Sequence, residues 1–104
     1  LSYYIPEVKI DFAKNGKLAI QQFKKGNYDL ILMDIQMPEM SGYDATRGIR
    51  KLETGDAHIP IIAMTASLLK SEIELCYEAG MNSYIPKPYK IEELIGTIYE
   101  VLKK

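Results

Sequence analysis

At 104 residues, 47% of them apolar and 26% charged, the chain has the length and composition of one globular domain built on one core, not of a disordered or fibrous segment. Thirteen basic residues against fourteen acidic ones leave a formal charge of -1, which supplies no positive field to gather nucleic acid or anionic lipid. No run approaches the roughly 20 apolar residues of a membrane span, and the first residues carry no basic segment followed by a signal-like apolar run, so a cytoplasmic protein is expected. The single cysteine, Cys76, has no internal disulfide partner, which suits a reducing compartment, and it reads as a small core hydrophobe.

Along the chain, Leu1 to Pro6 reads as a helix end or a connection. Val8, Ile10 and Phe12 alternate with Lys9 and Asp11, the period of a strand with one partly wetted face, and an edge position is expected. Asn15-Gly16 signals a turn, after which Ala19, Ile20 and Phe23 fall on one side of a helix closing at Gly26. Leu30 to Met33 is a continuous apolar run, the mark of a strand covered on both faces, and Asp34 stands at its carboxyl end. Met37-Pro38 and Ser41-Gly42 shape a short loop. From Tyr43 to Glu53 a helix places Ala45, Ile49 and Leu52 on one face despite Gly48, and Thr54 to Ile59 is a polar loop.

Pro60 to Met64 is a second buried strand that ends at Thr65, as the first ends at Asp34. Leu69, Ile73 and Cys76 then share a helical face, with Gly80 as the C-terminal cap. Ser83 to Pro86 is a brief strand before Lys87-Pro88. Ile91, Leu94, Ile95, Ile98, Val101 and Leu102 give the final helix its i, i+3, i+4, i+7 pattern, and Lys103 and Lys104 lie near its negative end. Alternating strands and helices predict an α/β fold with a parallel sheet and right-handed crossovers, so Asp34, Thr65 and Lys87 are expected to converge above one edge. Taken singly, Asp34 reads equally as a turn cap, Thr65 as a strand-end cap and Lys87 as a solvated lysine. His58, in the polar loop, reads as a surface residue.

Leu-Met-Asp-Ile-Gln-Met-Pro around Asp34, Ile-Ala-Met-Thr-Ala around Thr65 and Tyr-Ile-Pro-Lys-Pro around Lys87, in this order and on strand ends, resemble the receiver domain of response regulators and hybrid sensor kinases in two-component systems. The resemblance covers nearly the whole chain as a single domain, 1–104, and implies the doubly wound, flavodoxin-like strand order 2-1-3-4-5. It implies that Asp34 accepts a phosphoryl group from a phosphohistidine of a histidine kinase or histidine phosphotransfer domain. Thr65, Lys87 and the small Ala66 would surround that group, with Thr65 and Tyr84 as the conformational switch and the Lys87-Pro88 bond cis. Tyr89, Tyr99 and Ile95 would belong to a partner-facing surface, although core packing explains Ile95 equally well. Magnesium is the implied ion, held by Asp34, the backbone carbonyl of Gln36 and an acidic pair at the end of a first strand.

That first strand, its acidic pair and most of the first helix have no counterpart here, and neither Glu7 nor Asp11 fits the vacant positions. In the family order the strand would lie between Val8–Phe12 and Leu30–Met33, leaving them about 9.6 Å apart, twice the normal spacing. The expectation is therefore an N-terminally incomplete domain, completed by a preceding segment, by strand complementation from a partner chain or in a homodimer. A phosphorylation-independent interaction module is the alternative function. An aspartyl-nucleophile phosphatase would want an acid at position 36, where Gln36 stands; the segment is expected not to be an enzyme itself, whatever kinase activity its parent carries.

Overall fold

The computed structural model describes residues 2–5, 8–13, 20, 21, 23, 24, 28–35, 41–53, 58–67 and 69–103. Its elements are β1 (Ser2–Ile5), β2 (Val8–Ala13), β3 (Leu30–Asp34), α1 (Gly42–Leu52), β4 (Ile61–Thr65), α2 (Lys70–Ala79), β5 (Ser83–Pro86) and α3 (Ile91–Lys103). Residues 20, 21, 23 and 24 are helical as well. The strands form one sheet in the order β1-β2-β3-β4-β5, antiparallel between β1 and β2 and parallel from β2 onward.

The two apolar strands explain the layering. Side chains alternate along a strand, so Ile31 and Met33 of β3, with Ile61 and Ala63 of β4, face a cluster that includes Ala45 and Ile49 of α1 and Cys76 of α2. Leu30, Leu32, Ile62 and Met64 point the other way, onto Leu94, Ile98 and Val101 of α3. With both faces covered, Leu30 to Met33 and Ile61 to Met64 are buried to 1% exposure or less. Burial of this kind contributes roughly 1.5–3 kcal/mol for each large side chain. Ile20 and Phe23 pack on the α1 side, and Gly48 is their accommodation: a Cβ there would lie 3.0 Å from the Cδ1 of Ile20.

The α/β doubly wound class expected from the sequence stands, but the first strands depart from expectation. Ser2 to Ile5 is a strand, not a helix end or connection, pairing antiparallel with β2 from Ser2↔Asp11 to Ile5↔Val8. Two tyrosines and an isoleucine in four residues favour strand. β2 is interior, not an edge, and no gap separates it from β3: Ile10↔Leu30, Asp11↔Ile31, Phe12↔Leu32 and Ala13↔Met33 are direct parallel partners. The physical reason is that the N–H and C=O groups of a fully buried β3 need a partner on each side, and β2 supplies one.

Helix limits differ by little, yet three side chains assigned to the core are outside it. Leu52 is 43% exposed in the last turn of α1, Leu69 is 64% exposed at the N-cap of α2, and Ile91 is 51% exposed where α3 begins. Each sits at a helix end, beyond the reach of the sheet. Gly80 closes α2 with φ 109, and its N–H donates to the Cys76 and Tyr77 carbonyls, a left-handed cap that glycine adopts without steric cost.

Candidate functional site

Parallel strands end on one side, and there Asp34, Thr65 and Lys87 line a single cleft of about 700 Å³. The Asp34 backbone is fixed by the register Asp34↔Met64, and the Ile35 N–H donates to the Met64 carbonyl at 3.1 Å. The Lys87 N–H donates to the Thr65 carbonyl at 2.8 Å, and the Lys87-Pro88 peptide bond is cis. The Lys87 ammonium lies 2.7 Å from Asp34 Oδ2, joining residues 53 positions apart. The two side chains are 36% and 19% exposed, so the pair is a wetted, charge-assisted contact at the cleft mouth and not a buried ion pair.

Thr65 is 5% exposed. Its hydroxyl donates to the Ser67 carbonyl at 3.0 Å and accepts from the Ser67 N–H at 3.1 Å, a local turn that directs Oγ1 along the β4–α2 loop. Ala66 is exposed and also lines the cleft. α1 presses on the site from the other side. The Gly42 N–H donates to the Ile35 carbonyl at 2.9 Å, and a Cβ at Gly42 would fall 2.6 Å from the Asp34 carbonyl oxygen; only glycine permits that approach. Ser41 caps α1 by accepting the Asp44 N–H on Oγ at 3.2 Å.

Four polar residues without a site role in the sequence motifs also line the cleft: Ser41, Tyr43, Ser67 and Glu72. Their signal was positional, since all follow strand ends or open helices on the carboxyl edge of the sheet, where α/β proteins place their ligands. The Tyr43 hydroxyl donates to the Glu72 backbone carbonyl at 3.4 Å. Burial first, then the Cys76 and Glu72 charges, push the Tyr43 phenol above its ordinary 10.0.

Of the remaining sequence candidates, Tyr84 is half-buried, its ring edge-to-face with Tyr77 at 6.4 Å and 84°. Tyr89 packs partly buried against the α3 side of the core, while Ile95 and Tyr99 are 37% and 53% exposed. His58 is exposed and contacts Glu53 at 3.1 Å, near the start of β4 and thus at the opposite edge of the sheet. Gln36 lies outside the described residues. Among the described residues no group of three His, Cys, Asp or Glu side chains could hold a metal ion, and the Asp34 carboxylate already has the Lys87 ammonium against it. The described donor set therefore does not by itself make a magnesium site. No helix among the described residues is long and apolar enough to cross a membrane.

The family model for the response regulator receiver domain matches residues 4–99. Histidine kinase 1 of Arabidopsis thaliana is 48% identical over 77 residues, 73% of this chain but only 6% of that protein. The receiver domain of sensor histidine kinase PA1611 from Pseudomonas aeruginosa PAO1, solved with magnesium coordinated in its active-site cleft, is 40% identical, with TM-score 0.77 over 88% of this chain and 75% of that one. The receiver domain of Ssk1 from Saccharomyces cerevisiae, co-crystallised with the histidine phosphotransfer protein Ypd1, is similar in structure, with TM-score 0.78 and 33% identity over 86% of this chain and 68% of that one. With the family model spanning almost all of it, the chain belongs to the response regulator receiver domain family of two-component systems.

Proposed function

We propose that this chain is a phosphoacceptor: Asp34 takes a phosphoryl group from a phosphohistidine of a histidine kinase or histidine phosphotransfer domain, and the modified domain regulates a partner. The observation that carries the reading is the Lys87 ammonium 2.7 Å from Asp34 Oδ2 in an open cleft at the strand ends. An ionised carboxylate is a competent nucleophile for phosphorus, but it and the incoming group are both anions, so a positioned cation is needed to offset their repulsion. In the transfer, a bond forms between an Asp34 carboxylate oxygen and phosphorus as the P–N bond to imidazole breaks. The electron pair and a solvent proton go to the ring nitrogen.

Lys87 then lies beside the new phosphoryl oxygens, and Ala66 leaves room for them. The Thr65 hydroxyl reaches them by giving up its turn with Ser67, a displacement that couples phosphorylation to the β4–α2 loop and to Tyr84 beyond it. Such a shift between two conformations is how a local charge becomes a regulatory output. The Ypd1 complex of the Ssk1 receiver and the histidine kinases among the relatives support the donor class and a hybrid kinase as the parent, with a cytoplasmic site of action. The other reading is an interaction module that works without phosphorylation.

Incubation of the full parent chain with phosphoramidate, with and without Mg2+ and without ATP, separates the two. A mass gain of one phosphoryl group that Asp34→Ala abolishes is the expected result. An unmodified wild-type protein under both conditions would leave the interaction module.

A further inference from the structure

Three charged side chains of the described residues line the cleft: Asp34, Lys87 and Glu72. Lys87 is committed to Asp34 at 2.7 Å. Glu72, in the first turn of α2, forms no ion pair among the described residues. It is half-buried against α1, where its backbone carbonyl receives the Tyr43 hydroxyl. Its charge contributes, after burial, to raising both the Tyr43 phenol and the Cys76 thiol, two groups of the α1–α2 side of the core. The cleft that holds the acceptor thus carries a second anion that no cation of the described residues pairs with.

We propose that Glu72 sets the donor specificity of this cleft, discriminating against free anionic phosphodonors and in favour of a phosphoryl group presented on a protein surface that brings its own cation to the cleft. The inference rests on the phosphoacceptor reading of Asp34. A small donor must enter the cleft as an anion, and Glu72, which lines the same cleft, repels it. A histidine-borne phosphoryl group arrives with the dipoles and basic side chains of its carrier, which meet Glu72 as a complementary charge and not as a barrier. With acetyl phosphate, a bond forms between an Asp34 oxygen and phosphorus as the bond from phosphorus to the acyl oxygen breaks, and acetate leaves with the electron pair.

The test measures the rate of phosphoryl mass gain on wild type, Glu72→Gln and Glu72→Asp in the full parent chain, with Mg2+ and without ATP. Two donors are compared, the dianion acetyl phosphate and the less charged phosphoramidate. In a wet cleft, removing Glu72's charge raises the acetyl phosphate rate about three- to tenfold at low salt, and the phosphoramidate rate about two- to threefold. At about 1 M salt, where the screening length is near 3 Å, both gains fall below about twofold. Glu72→Asp, which keeps the charge, stays within about twofold of wild type throughout. Equal rates for wild type and Glu72→Gln at low salt, or a gain that salt leaves unchanged, overturn the inference while leaving Asp34 an acceptor. Absence of any mass gain in all three proteins overturns the acceptor reading and this inference with it.

Discussion

Replacing Arg50 with alanine should destabilise the fold more than any change in the cleft, because one guanidinium ties together two loops at the amino edge of β4. Its Nε donates to the Gly80 carbonyl at 2.9 Å, Nη1 to Glu53 Oε1 at 2.9 Å and to the Ile59 carbonyl at 2.8 Å, and Nη2 to Asn82 Oδ1 at 2.8 Å. Asn82 Oδ1 in turn accepts the Ile61 N–H at 2.9 Å, so the network reaches the first residue of β4. The Glu53 side chain is 3% exposed and that of Arg50 17%. Arg50→Ala therefore leaves a nearly buried carboxylate without its cation, a defect that typically costs 3–5 kcal/mol. Water reaching the vacated, partly open site holds the expected loss to about 3 kcal/mol, roughly a 2 M fall in the urea midpoint for an m-value of about 1.5 kcal/mol/M.

The pH dependence supplies the sharper check. Burial pushes the Glu53 carboxyl up, but hydrogen bonds from the Ile59 N–H, His58 and Arg50, with the Arg50 charge, outweigh it and hold it below 4.5. A carboxyl lowered on folding stabilises the protein above its unfolded pKa, and that contribution disappears as pH falls through the folded value. The gap between wild type and Arg50→Ala should accordingly be widest near pH 7 and shrink as pH falls below 4.5, since a protonated Glu53 no longer needs a cation. Arg50→Lys restores charge without the fork and should recover less than half of the loss. A loss under about 1 kcal/mol, or a gap that stays constant down to about pH 3.5, would refute this account.

Two further changes probe the cleft. Gly42→Ala would stabilise an ordinary helix by roughly 0.5–1 kcal/mol, but the 2.6 Å approach of its Cβ to the Asp34 carbonyl oxygen reverses the sign. A loss of about 1–3 kcal/mol by urea unfolding is expected, and a stabilised variant would show that α1 does not press on the Asp34 loop. Lys87→Ala, at a site 36% exposed, should shift stability by less than about 1 kcal/mol yet slow phosphoryl mass gain about 100-fold, the usual effect of losing one positioned donor; an unchanged rate would remove Lys87 from the chemistry.

The buried half of the fold was legible because it depends on short-range pattern. Four consecutive apolar residues at 30–33, and again at 61–64, can be satisfied only by a strand covered on both faces, and the alternating assignment of Ile31 and Leu32 to opposite cores is that requirement met. The convergence of Asp34, Thr65 and Lys87 followed from parallelism alone. Pairing partners were less legible. β2 carries a half-polar alternation that suits an edge, yet it lies between β1 and β3, because which strand satisfies β3's open hydrogen bonds depends on what else competes for that edge, a non-local question. Helix-end residues such as Leu52, Leu69 and Ile91 kept the core periodicity after the sheet had run out beneath them. Glu72 carries no motif; only folding α2 back over the strand ends brings it to the cleft.

The two edges of the sheet are built differently, and the difference has a physical basis. At the amino edge Arg50 makes side-chain contacts to carbonyls, a carboxylate and an amide, which fixes the start of β4 against the loops before it and after α2. At the carboxyl edge the Lys87 ammonium meets the partly exposed Asp34 carboxylate, and the Thr65 hydroxyl is held in a local turn with Ser67. A phosphoryl group on Asp34, as proposed, would compete directly with both, since it would offer oxygens to the same ammonium and the same hydroxyl. Because β3 and β4 between the edges are close-packed and almost fully buried, they transmit little of that rearrangement along their length. On the proposed phosphoacceptor reading the change would instead be directed outward, through the β4–α2 loop and the half-buried Tyr84.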